Sequence, residues 1–477
     1  MTTNAQRLRD ALEETLRLQN PESDEYKQWL HGPRSSPLPP SLPAEGGSFY
    51  PTTDRAIGCI TEIIDNIRTN DGALARTLSR DEMFKRAMQT LGANLSPLVE
   101  VADDNERWKQ YRDVITAAFT SLPTSQTVYV PVWLFVRQDY GNFSVGPVEF
   151  VDQSGWLDKV ERVRGSRPAW RSGVESTWGL TGNAGDAAAG SSDQLVESAI
   201  KTVTRFAFAE QRIACVAIAG FDDREAKRRA LLATRIAIDG IRLLIPGSNK
   251  KRIFTSADHG PPRAIERLRQ MDGHDLTSDS GTEMPGVDGK PGAAQELIDT
   301  STDFRKAAGN CITVIISPTP AQENLPELSQ RWSNAIHWYG RACVSDADFV
   351  ALPMFGFTLD TLCGGKEEAG IRDLACALFE KKPEDSVRAD GLTLKAAVRK
   401  VYEWRSKIAH GSLLAVDLVL ESERVFAEGI ANAMLYQYVM SLEQYRSSAS
   451  PVDTGEDFLK WLQQNSPSTW SPAAPTP

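Results

Sequence analysis

The sequence predicts a multidomain α+β protein, with a helix-rich N-terminal region carrying a small β-containing layer, followed by a C-terminal all-α helical bundle. Three observations predict it. Over the first 120 residues apolar side chains recur at three- and four-residue spacing, from Thr127 the pattern changes to β-rich runs, and beyond about residue 325 it is helical again. A chain of 477 residues also exceeds the roughly 250–300 residues that one hydrophobic core serves, so two or three domains are expected.

Residues 1–125 form the expected helical N-terminal region. Its helices are "AQRLRDALEETLRL", "TDRAIGCITEIIDNIRT" and "ERWKQYRDVITAAFTSL", and the Pro/Ser-rich loop "HGPRSSPLPPSLPAEGG" separates the first two. Residues 126–324 are expected as an α/β regulatory or sensor region. There "TVYVPVWLFVRQ" and "NFSVGPVEFV", separated by "DYG", predict a hairpin whose second arm alternates Phe143, Val145, Val148 and Phe150 around a Gly-Pro break. The small, polar "GLTGNAGDAAAGSSD" predicts a mobile loop and lacks the terminal Lys-Ser/Thr of a phosphate-cradling loop. "RIACVAIAGF" predicts a strand, and "DDREAKRRALLATRIAIDGIRLLI" a long helix with acidic residues in its first turn, where the helix dipole favours them. Residues 272–297, rich in Gly, Asp, Ser and Pro, predict a flexible insertion, and "CITVIIS" at 311–317 a short strand. Residues 325–447 predict the helical C-terminal domain and 448–477 a disordered tail.

Composition narrows the function classes. No run approaches the roughly 18 apolar residues of a membrane helix, and the opening "MTTNAQRLRDALEETLRLQN" has no signal-peptide apolar region, so a cytoplasmic location is expected. Six cysteines lack CxxC spacing and no histidine pair has HxxxH or HExxH spacing, so neither a disulfide framework nor a metal site is expected. A net charge of −10 argues against a coat for non-selective DNA binding. Basic clusters at Arg162, Arg164, Arg167 and Arg171, and at Lys227, Arg228 and Arg229, leave room for a small RNA site or for solvated helix faces.

The chemistry concentrates in "RSKIAHG". Leu394, Val398, Val401 and Ile408 form an apolar stripe at helical spacing, and Arg405 takes the next place in it after Val401. A guanidinium placed there needs a carboxylate, a phosphate or water, because burying it unpaired costs several kcal/mol. Asp360 is the one charged residue of the apolar run "FVALPMFGFTLDTLC", so the two could meet inside the bundle. Residues five apart on a helix diverge by about 140°, which separates Arg405 from His410. Gly411 ends the helix and frees His410 from that face, and two copies of the motif across a twofold axis would bring both residue types into one cleft.

The pattern R-x4-H followed by Gly, after "RWSNAIHWYGRACVSDADFVALPMFGFTLDTL", resembles the HEPN superfamily, and most closely its Apea-like branch, over 325–447. The resemblance implies an all-α bundle that is often dimeric, with the motif near the junction of its last helices. It implies a metal-independent ribonuclease without cofactor, in which Arg405 and His410 are catalytic. Ser406 follows the arginine where the superfamily often has Asn, Asp or His, and Asp360 stands where Apea-like members tend to have Glu; both would support the site.

In that reading His410 is general base on a ribose 2′-hydroxyl or general acid on the leaving oxygen, and Arg405 stabilises the phosphorane charge. The products would be a 2′,3′-cyclic phosphate and a 5′-hydroxyl. The expected partners are an RNA substrate (a tRNA or other single-stranded RNA), a second copy of the chain and a phage-derived or cellular trigger. The competing readings are a non-catalytic HEPN module that dimerises and binds nucleic acid in a regulatory protein, and a structural protein in which Arg405 and Asp360 simply pair.

Overall fold

The computed structural model describes residues 2–31, 40–43, 48–161, 168–180, 194–208, 210–256, 258, 267–269, 277–279, 285–412 and 420–465. The chain is helix-rich with a small β-sheet, an α+β protein, and it divides into two compact units. The Arg162, Arg164 and Arg167 cluster, most of the 179–193 loop, His259, His274 and the end of the chain from 466 lie outside the described residues. None of the described helices is long and apolar enough to cross a membrane.

The first unit comprises Met1–Gln126, Ile218–Arg229 and Ser317–Thr319. It contains α1 (Asn4–Leu16), α2 (Asp24–His31), the ribbon of β1 (Ser41–Pro43) and β2 (Phe49–Pro51), then α3 (Asp54–Asn70), α4 (Gly72–Thr77), α5 (Arg80–Ala93), α6 (Leu95–Glu100) and α7 (Asp104–Thr120). Local chemistry sets the helix starts. Thr3 and Gln6 close a capping box, and the side chains of Thr53, Asp71, Ser79 and Asp103 accept from the first-turn amides of α3, α4, α5 and α7. The apolar stripes meet in one core of Leu8, Ile60, Ile63, Met83, Leu91, Tyr111, Ile115 and Phe119.

The second unit comprises Thr127–Ala217, Ala230–Ile316 and Pro320–Pro477. Its sheet is built from β3 (Thr124–Trp133), β4 (Phe143–Val145), β5 (Val148–Val151), β6 (Arg212–Phe221) and β7 (Phe254–Thr255), in the order β4-β5-β6-β3-β7. Between β5 and β6 come α8 (Gln153–Glu161), α9 (Pro168–Trp178) and α10 (Gln194–Phe206); after β6 comes α11 (Asp223–Leu244), β6 from Ile218 and α11 through Arg229 counting with the first unit, and β8 (Arg267–Arg269) pairs with β9 (Thr277–Asp279). The expected hairpin is corrected here. The runs on either side of "DYG" are not neighbours; β4 pairs with β5, Phe143 opposite Phe150 and Val145 opposite Val148, so the Gly-Pro break is the turn itself. Gly146 takes φ +57° there, which an ordinary residue adopts only at a cost.

From Thr302 to Asn465 the regular elements of the described residues are helical: α13 (Thr302–Ile316), which follows α12 (Ala293–Thr300), then α14 (Pro326–Val344), α15 (Asp348–Leu362), α16 (Glu367–Phe379), α17 (Leu394–Ala409), α18 (Glu421–Arg446) and α19 (Gly455–Asn465). Three expectations are revised. "CITVIIS" is the end of α13 and not a strand: Ala307, Ala308, Cys311, Ile312 and Ile315 are all buried, so the helix is apolar on more than one side and loses its amphipathic signature. Of the 272–297 segment, residues 285–297 are tied in, because Val287 bridges to Phe135 and α12 has begun by Ala293. Residues 448–465 belong to the folded unit. Asp453 accepts from the amides of Glu327 and Leu328 at the start of α14, and Phe458 and Leu462 of α19 are fully buried, Phe458 against Tyr438 and Tyr445.

Candidate functional site

The site is assembled where α15 and α17 cross within the second unit. Thr393 caps α17, its hydroxyl accepting from the Ala396 amide, and Leu394, Ala397, Val398, Val401 and Ile408 bury one face of the helix. Arg405 continues that face onto α15. The contact is close enough that a β-carbon on Gly356 would lie 2.5 Å from the Arg405 Cβ and 2.8 Å from its Cγ, so only glycine lets the arginine stem cross the helix there. Gly356 and Asp360 are four apart and share a face of α15, which carries the guanidinium from one to the other.

At its far end Arg405 Nη2 donates to Asp360 Oδ2 at 3.2 Å. The guanidinium carbon stands 5.2 Å from the Phe357 ring centroid and 5.5 Å from that of Tyr402, within cation–π range of both. Its Nε is buried and has no hydrogen-bond partner among the described residues. The pair is not sealed: the Arg405 side chain is 26% exposed and that of Asp360 20%, enough to offer a guanidinium edge to a ligand. Cys363, one turn after Asp360, has its thiol pushed up by burial and by the neighbouring carboxylate, so it does not supply a ready thiolate nucleophile.

His410 is the C-cap of α17. The Gly411 amide bonds to Ile408 O and the Ser412 amide to Lys407 O, with Gly411 at φ +68°, the Schellman ending in which the left-handed residue is normally glycine. The His410 side chain is exposed, and no hydrogen bond or ion pair of its ring is found among the described residues. Ser406 is half-buried and its carbonyl accepts from the His410 amide, so it holds the cap through its backbone. Residues 413–419, which follow directly, lie outside the described residues.

Within one chain the structure thus joins Arg405 to Asp360, and no contact of His410 with either is found among the described residues. Gly356, Phe357 and Tyr402 were not singled out from sequence. A glycine one turn before Asp360, the one charge in the apolar run "FVALPMFGFTLDTLC", was a readable signal for a close helix crossing at that charge. Among the described residues no group of three or more His, Cys, Asp or Glu side chains is arranged to hold a metal ion. The chain matches no family model, and no curated protein and no solved structure is similar to it at a significant level.

Proposed function

We propose that the chain is a metal-independent endoribonuclease of HEPN type, a defence or toxin effector that cleaves RNA when triggered, with Arg405 and His410 as its catalytic residues. The observation that supports this reading is a guanidinium held by Asp360 and two aromatic rings yet one-quarter exposed, five residues before an exposed histidine whose ring has no partner among the described residues. An imidazole titrates near neutral pH and can move the proton of a ribose 2′-hydroxyl, while a guanidinium can meet the charge that develops on phosphorus. Positions five apart on a helix diverge by about 140°, and the motif of a second copy related by a twofold axis would bring both residue types into one cleft.

Cleavage of single-stranded RNA and tRNA by the intact chain is the test, with His410→Ala as control. Cutting should persist in EDTA, leave 2′,3′-cyclic phosphate ends, and fall on the order of 10²-fold or more in His410→Ala while the melting temperature stays unchanged. Activity that vanishes in EDTA and returns with magnesium, or that comes from a monomer by light scattering, refutes the mechanism. That no contact between His410 and Arg405 is found among the described residues favours one other reading, a non-catalytic HEPN module that dimerises and binds nucleic acid, with Arg405 as a phosphate contact only. It would show RNA binding without cutting, weakened by Arg405→Ala and indifferent to His410→Ala.

A further inference from the structure

The first unit contains an open cleft lined by Arg68, Arg80, Arg224, Arg228 and Arg229, with Asp81 and Glu225. The arginines come from the ends of α3 and the starts of α5 and α11, so residues more than 140 positions apart in sequence share one small volume. They are held in place by few carboxylates. Arg80 makes a two-pronged pair with Asp65 at 2.6 and 2.8 Å, and Arg224 pairs with Asp81. Glu225 alone serves two guanidiniums: Arg228 at 2.6 and 2.8 Å and Arg229 at 2.7 Å. Arg68 donates to the carbonyls of Leu78 and Ala75 at 2.6 and 3.3 Å and pairs with no carboxylate among the described residues.

Five guanidiniums therefore share three carboxylates. The neighbouring Arg76, which donates to Ser317 O, and the buried Asp222, which accepts from the amides of Ser79 and Glu225, cancel each other in this balance. The cleft keeps an excess of about two positive charges. Glu225 cannot relieve it by taking a proton: burial works against its charge, but Arg228 and Arg229 outweigh that and hold it below the usual glutamate range. Arg229 and Glu225 are themselves buried, so their part of the wall is a fixed feature of the fold, while Arg80, Arg224 and Arg228 reach into solvent.

The ligand class follows from what lines the cleft. None of the lining residues is aromatic, so there is no platform for stacking a base. Guanidinium forks match phosphate oxygens, and a phosphate monoester carries about −1.5 to −2 charges at neutral pH, against about −1 for an internal diester. We propose that this cleft is a binding site for a terminal phosphate group, carried by a free mononucleotide or by the 5′ end of a nucleic acid strand. The site is independent of the nuclease reading and lies in the other unit.

Isothermal titration of the full chain at low salt tests it, with inorganic phosphate, AMP, and one short oligoribonucleotide bearing either a 5′-phosphate or a 5′-hydroxyl. Saturable binding of phosphate or AMP is expected, as is a preference for the 5′-phosphorylated strand over its 5′-hydroxyl twin if nucleic acid is the source. AMP binding without strand binding assigns the site to free nucleotides. Arg224→Ala/Arg228→Ala should weaken binding at least about tenfold, and Arg224→Lys/Arg228→Lys, which keeps the charge, should restore much of it. Arg228→Ala also removes a partner of the buried Glu225, so the melting temperature of each variant is read alongside, and the lysine pair separates loss of the site from loss of stability. No binding by any of the four probes, equal binding of the two strands, or affinity unchanged in the alanine double variant overturns the proposal.

Discussion

Replacing Gly356 with alanine probes the crossing that holds Arg405. The added β-carbon would stand 2.5 Å from the Arg405 Cβ, whereas carbon atoms pack at about 3.5–4.0 Å, so α15 and α17 must part by about 1 Å or more. The Arg405–Asp360 hydrogen bond, now 3.2 Å, would then stretch beyond hydrogen-bond range. Overpacking of this severity costs about 3 kcal/mol, and the better helix propensity of alanine returns about 1, leaving the second unit destabilised by roughly 2 kcal/mol. Gly429 of α18 supplies the control: it is exposed, in a helix, and a β-carbon there meets nothing within 4 Å. Gly429→Ala should stabilise by about 0.5–1 kcal/mol. Urea denaturation followed by circular dichroism reads both, and the same substitution should move the midpoint in opposite directions at the two sites. If Gly356→Ala raises the midpoint as Gly429→Ala does, α15 and α17 do not touch at this place and the seat described for Arg405 is wrong.

Arg405→Ala should destabilise the second unit by about 1–3 kcal/mol, less than a fully buried pair would, because both partners keep some contact with water. Asp360→Asn should cost less than Arg405→Ala, since the guanidinium retains a hydrogen-bond acceptor and two rings; equal losses in urea melts would show that the charge pair, not the packing, dominates. Acid should weaken the first unit through Glu225. Its folded pKa lies below the ordinary 4.5, so the stabilisation is fully present above that value and is lost as pH falls through the folded pKa. A urea midpoint that drops below about pH 4.5 in the wild type, and drops less steeply in Glu225→Gln, is the expected result; identical pH profiles would contradict it.

Sequence alone determined what is settled within a few turns of chain. α1, α3 and α7 of the first unit, the β6 strand with its long following helix, and the stripe of α17 all follow from spacing and caps, because each depends on neighbours three or four residues away. The same local logic placed Arg405 on a buried face, required a counter-charge for it, picked Asp360, and ended the helix at Gly411. Tertiary structure decided the rest. β6 inserts between β5 and β3, a pairing between runs some 60 residues apart that no local pattern encodes. The end of α13 was ambiguous because a β-branched apolar run suits a strand and a buried helix alike, and packing chose the helix. α19 became part of the second unit through two buried side chains, Phe458 and Leu462, in a segment whose surroundings read as polar and Pro-rich. The arginine cleft was the least legible feature, since the sequence showed "REAKRRA" as a charged helix face and only folding brings Arg68 and Arg80 to it. Charge in one stretch of chain is a local fact; whether it is neutralised depends on which distant carboxylates the fold delivers.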